Sequence, residues 1–258
     1  MSRLSVSAFL AVLLSGCGSL AGLKLLAPET HGLERVSPSL YVETGTDSET
    51  RQRLLEDIDR AKRAVETAYG SALSHPIVHA CGTESCYATF GGYGSRAKVY
   101  GGRLILVSPR GSNWHYIAHE WSHAEMYSRL SLSALWQLPR WFDEGIAVVV
   151  SEAPENSEAH WRFLVESNTP RPTREALHTL KSLSQWDDAV GRYGEKKNQE
   201  RKARGEPEIR PVYTAAGHEV RPWLAAAGCE GLLRLIAEMN AGADFASLYV
   251  PYSDPATW

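Results

Sequence analysis

The stretch WHYIAHEWSHAEMYSRL, residues 114–130, constrains this chain more than any other. On a helix that turns about 100° per residue, His119 and His123 differ by only about 40° and point the same way. Glu120 lies a quarter-turn beside them, and Tyr116 and Tyr127 fall on that side too. Trp114, Ile117, Trp121, Ala124 and Ser128 take the opposite side. The spacing predicts a helix with two stripes, one aromatic and aliphatic for a core, the other presenting two imidazoles and a carboxylate. A helix kept for packing alone would not need the second stripe. Ser112 or Asn113 can cap its start.

Zinc favours imidazole nitrogen in a tetrahedral shell, and a catalytic site takes three protein ligands and keeps one position open. The HExxH spacing supplies two ligands, His119 and His123, with Glu120 placed as a base. A third ligand must come from elsewhere. The segment LPRWFDEGIA (138–147) offers Glu144, with Asp143 beside it. HExxH followed by a glutamate on the next helix resembles the gluzincin metallopeptidases. The pair AHEWSHA (118–124) and LPRWFDEGIA is similar to the bacterial peptidase MA-like group.

That resemblance implies a zincin-like α+β fold, with a small mixed sheet packed on the HExxH helix and a helical C-terminal part. It implies zinc held by His119, His123 and Glu144, and hydrolysis of peptide bonds with Glu120 as general base on a zinc-bound water. Asp143 would orient a histidine through its second ring nitrogen. An oxyanion donor would come from the C-terminal region, with His218 favoured as the catalytic candidate and Tyr213 the alternative. It also implies that 139–150 is helical despite its valines, with Gly145 and Ala147 allowing close approach to the histidine helix. RLILVSP (103–109) would be the sheet edge along which an extended peptide pairs.

The rest of the chain divides around this centre. MSRLSVSAFLAVLLSGC carries Arg3 and then a short apolar run, the form of a secretory signal. Its end, LSGC, resembles the lipobox of bacterial lipoproteins. This implies a signal peptide over 1–16, lipidation at Cys17 and a tether over 17–37. Gly18 follows the cysteine, which by the sorting rule for such proteins implies the periplasmic face of the outer membrane, in the cell envelope. A catalytic domain over 38–152 and a helical part over 153–258 complete the expected organisation. Residues 48–70 have strong helical periodicity ending at Gly70. PIVHAC, YATFGGYG, AKVYGG and RLILVSP are short glycine-punctuated runs that read as strands.

Export permits disulfides, and the spacing of Cys81 and Cys86 suits a short closed loop better than half of a thiolate metal site. Cys229 is expected as a small buried residue in a helix. The charged run 191–211 reads as a solvated loop. A net charge of −3 gives no electrostatic case for nucleic acid. The metallopeptidase resemblance implies a peptide or protein substrate, and the lipobox resemblance implies contact with a membrane through the lipid anchor. The competing reading is a catalytically silent zinc-containing lipoprotein that binds peptides as an envelope assembly or scaffold factor. The presence of Glu120 argues against it, since a binder needs no base.

Overall fold

The computed structural model describes residues 18–252 and 258. Cys17 and the signal segment lie outside these. Twelve α-helices are present among the described residues: α1 (Gly18–Leu25), α2 (Ser48–Tyr69), α3 (Glu84–Thr89), α4 (Trp114–Arg129), α5 (Leu132–Gln137), α6 (Arg140–Ser151), α7 (Glu158–Glu166), α8 (Arg174–His178), α9 (Leu183–Arg192), α10 (Asn198–Ala203), α11 (Pro211–Asn240) and α12 (Phe245–Leu248). The strands are β1 (Leu33–Ser37), β2 (Leu40–Glu43), β3 (Ile77–Ala80), β4 (Ala97–Tyr100) and β5 (Leu104–Val107), in the sheet order β1-β2-β3-β5-β4. β2, β3 and β5 run parallel, while β1 and β4 pair antiparallel at the two edges. The chain is thus α+β, a five-stranded mixed sheet followed by a helical part. None of these helices is long and apolar enough to cross a membrane.

Side-chain alternation divides the sheet's two faces. Val42, Val78, Ile105 and Val107 join the main core with Leu54, Ile58, Ala61 and Val65 of α2 and Ile117, Trp121 and Ala124 of α4. On the other face, Leu106 packs with Leu25, Leu33, Tyr87, Phe90 and the Cys81–Cys86 disulfide. α2 follows its pattern closely: Asp47 accepts from the Thr50 amide at its start, and Gly70 turns left-handed (φ 73°) at its end. Asn113 caps α4 through the amides of His115 and Tyr116.

Several elements differ from expectation. Residues 33–37, expected in the tether, form edge strand β1, because Leu33 is buried under the second core. Part of YATFGGYG is helical, not extended: Thr83 caps α3 at the Cys86 amide, and the disulfide closes that turn. RLILVSP supplies β5, which is paired on both sides, so the edge on that side of the sheet is β4 instead. The charged run 191–211 contains α10 and buries Glu195 and Ile209, so it is no solvated loop. Cys229 lies in α11 as a free, half-buried thiol.

Residues 140–151 are helical, as the resemblance implies, and α6 packs against both α4 and α11. Gly145, however, faces α11 and not the histidine helix. A Cβ there would sit 2.4 Å from Val220 Cγ2 and 2.8 Å from the Ala216 carbonyl oxygen. Gly217 on α11 returns the contact, with a Cβ placed 2.4 Å from Val148 Cγ1. Gly145→Ala is therefore expected to destabilise the fold by about 1–3 kcal/mol, the usual range for overpacking. Denaturant unfolding checks this, and an unchanged midpoint would contradict the close approach.

Candidate metal centre

α4 and α6 bring the three candidate ligands to one point. Glu144 Oε2 lies 3.2 Å from His119 Nε2 and 3.7 Å from His123 Nε2. The three ligand atoms all fall within 4.8 Å of one another. Tetrahedral bonds of about 2.0–2.1 Å separate neighbouring donors by roughly 3.3 Å, so the set has the right scale to surround a small divalent ion. This buried group can hold a metal ion. The imidazole rings stand at 84° to each other with centroids 4.9 Å apart, which lets both Nε2 atoms converge without stacking.

Behind the donors lies a layer of charge. Asp143 Oδ2 faces His123 Nδ1 at 3.0 Å, the position expected of a carboxylate that orients a ligand ring. Arg140 donates to Asp143 Oδ2 at 2.8 Å and to Glu144 Oε1 at 2.5 Å, and also reaches the Tyr127 hydroxyl at 3.3 Å. Glu144 thus has one oxygen tied to Arg140 and the other left for the histidines. Asp143 and Glu144 are only 4% and 2% exposed, so the guanidinium is what makes two adjacent buried carboxylates tolerable.

The titration directions follow. Burial would raise Glu144, but Arg140 and His123 outweigh it and hold the carboxyl well below its ordinary range. Asp143 is lowered in the same way: burial opposes, and His123 and Arg140 prevail. Burial would lower His123, yet Asp143 and Glu144 hold it well above the usual imidazole value.

Glu120 is half-buried on α4, and no described residue hydrogen-bonds its carboxylate. Its charge is felt by Lys98 and Tyr100 of β4. Burial raises the Tyr100 phenol, and the Glu120 charge adds to it. The other wall is α11. Tyr213 places its ring 6.1 Å from that of His119 and edge-on to Trp186. Burial, and then the Glu144 charge, raise its phenol. His218 is held differently. Its Nδ1 is 2.8 Å from Glu158, its ring stacks on Trp161 at 4.3 Å, and Glu158 is also paired with Arg221. Of the two oxyanion candidates, then, Tyr213 is the one whose ring stands beside a ligand histidine.

Sequence reasoning missed Arg140 and Glu195. Arg140 lies inside the motif but carries no spacing signal of its own. Glu195 accepts from the Val212 amide at 2.5 Å, capping α11 just before Tyr213. Burial, opposed by Arg210, pushes its carboxyl up to about 7. No family model matches this chain, and no curated protein or solved structure matches it either.

Proposed function

We propose that the protein is a zinc-dependent peptidase, anchored to the bacterial cell envelope by lipid at Cys17. The observation that carries the reading is the convergence of His119, His123 and Glu144, with Glu120 next to His119 in the chain and its carboxylate hydrogen-bonded by no described residue. Two imidazoles and one carboxylate oxygen suit zinc, and three ligands leave a fourth position for solvent or substrate. When bound, such an ion supplies Lewis acidity, lowering the pKa of water toward neutrality and polarising a carbonyl.

The chain's own residues do the rest. Glu120, one residue after a proposed ligand and hydrogen-bonded by no described side chain, accepts the proton of the attacking water and returns it to the leaving amine. Asp143 fixes the orientation of His123, and Arg140 fixes Asp143 and Glu144 together. Tyr213, whose ring lies 6.1 Å from that of His119, is the oxyanion donor proposed ahead of His218. The free edge of β4 gives an extended peptide a backbone to pair with.

The test is metal content and peptide hydrolysis of the purified protein and its Glu120→Gln variant. Zinc near one per chain is expected in both. Hydrolysis is expected to fall about 10²- to 10⁴-fold in the variant, the usual contribution of a general base. Stoichiometric zinc without cleavage of any peptide by the wild type would instead favour the silent peptide-binding lipoprotein.

A further inference from the structure

The groove that this peptidase reading assigns to the β4 edge is bridged at one end. Ser108 N donates to the Arg96 carbonyl at 2.9 Å, which makes 96 and 108 a hydrogen-bonded pair. With Lys98 opposite Leu106 and Tyr100 opposite Leu104, the backbone groups of Ala97 and Val99 are the ones that face outward. Only two residues of the edge are therefore available to pair with an extended chain. Immediately before them stands Arg96.

Arg96 does not lie along the sheet. Its guanidinium crosses to the helical part, reaching Glu155 at 2.5 Å and both oxygens of Glu208 at 2.7 and 2.6 Å. Glu155 follows α6, and Glu208 precedes α11. Each acid is held from behind: Tyr116 of α4 donates to Glu155, and Arg210 and Asn198 reach Glu208 at 3.0 and 3.5 Å. Arg96 also lies over the Tyr116 ring, 5.1 Å from its centroid. Tyr116 is one helical turn before His119 and Glu120 on the same face of α4. Through Tyr116 the bridge is thus tied to the helix that carries His119 and Glu120, and it joins the sheet to the helical part.

We propose that this bridge closes the groove, so that the protein acts on chain ends and short peptides and not on the interior of a long chain. The inference rests on the peptidase reading and names its substrate class. Ala97 and Val99 turn their backbone groups outward on β4, so an extended peptide pairs with about two residues of the edge before it meets the wall. Glu155 and Glu208 already neutralise Arg96, so the wall works by blocking the path, not by attracting a terminal charge.

The experiment uses peptides of 4 to 20 residues, zinc-loaded wild type, and the R96Q and E208Q variants, with products identified by mass spectrometry. The wild type is expected to release fragments of one or two residues from one end. Either variant is expected to gain at least tenfold in kcat/KM on long relative to short peptides, carried mainly by KM. A general loss of structure would lower both together. E208Q preserves shape and keeps the test open should R96Q fold poorly. Binding of the same peptides to zinc-loaded E120Q, followed by fluorescence polarisation, separates this inference from the reading beneath it. Length-limited binding that the variants relieve, without turnover in the wild type, would sustain the closed groove and sink the peptidase. Interior cleavage of long peptides by the wild type, or a length profile unchanged in both variants, would overturn the closed groove alone.

Discussion

Glu144→Ala is expected to lower zinc affinity at least a hundredfold while the protein stays folded. Groups that only orient metal ligands are typically worth about 10- to 100-fold, so loss of a direct donor sets that as a floor. The argument is geometric: Glu144 Oε2 is the one oxygen placed 3.2 and 3.7 Å from both imidazoles. Asp143 cannot substitute, because its Oδ2 is engaged by His123 Nδ1 and by Arg140. Competition with a chromophoric chelator gives the affinity, and circular dichroism reports the fold. Wild-type affinity in the alanine variant would remove Glu144 from the ligand set and leave the proposed centre with two donors. Asp143→Asn run alongside provides the contrast, since its loss should stay within the range of an orienting group.

The second large effect concerns stability in the absence of metal. Arg140→Leu leaves Asp143 and Glu144 buried side by side without their guanidinium. Removing one partner of a buried pair typically costs about 3–5 kcal/mol, and the chelated variant is expected to lose that much. The double variant with Asp143→Asn removes one of the stranded charges and should recover part of it. Urea unfolding in the presence of a chelator measures both. A chelated Arg140→Leu protein as stable as the wild type would mean that His123 alone neutralises the two carboxylates.

What the sequence made legible is what lies within a single helix. His119, Glu120 and His123 are fixed relative to one another by α4, and Asn113 marks where that helix begins. Glu144 could be placed only through a second motif, because a metal-sized gap between two helices is set by packing that no local spacing records. Gly145 illustrates the limit: a small residue in a helix signals close approach but not the neighbour, and the neighbour is α11. The segment 191–211 misleads for a related reason. Its charges resemble a solvated run until Glu208 meets Arg96, more than a hundred positions away, and Glu195 meets the start of α11. The helix at 84–89 was hidden in a glycine-rich context whose decisive feature is a threonine cap and a crosslink.

Under the lipid anchoring proposed at Cys17, the burial of Leu25 and Leu33 sets how far the folded body can stand from a bilayer. A chain acylated at Cys17 reaches its own second core within eight residues, and those eight are α1. At about 1.5 Å per residue that leash is roughly 12 Å long, well under the ~30 Å thickness of a bilayer's hydrocarbon core. So short a stand-off would keep the folded body pressed to the surface, and on the peptidase reading proposed above it would confine its reach to polypeptides that pass within grazing distance of the membrane.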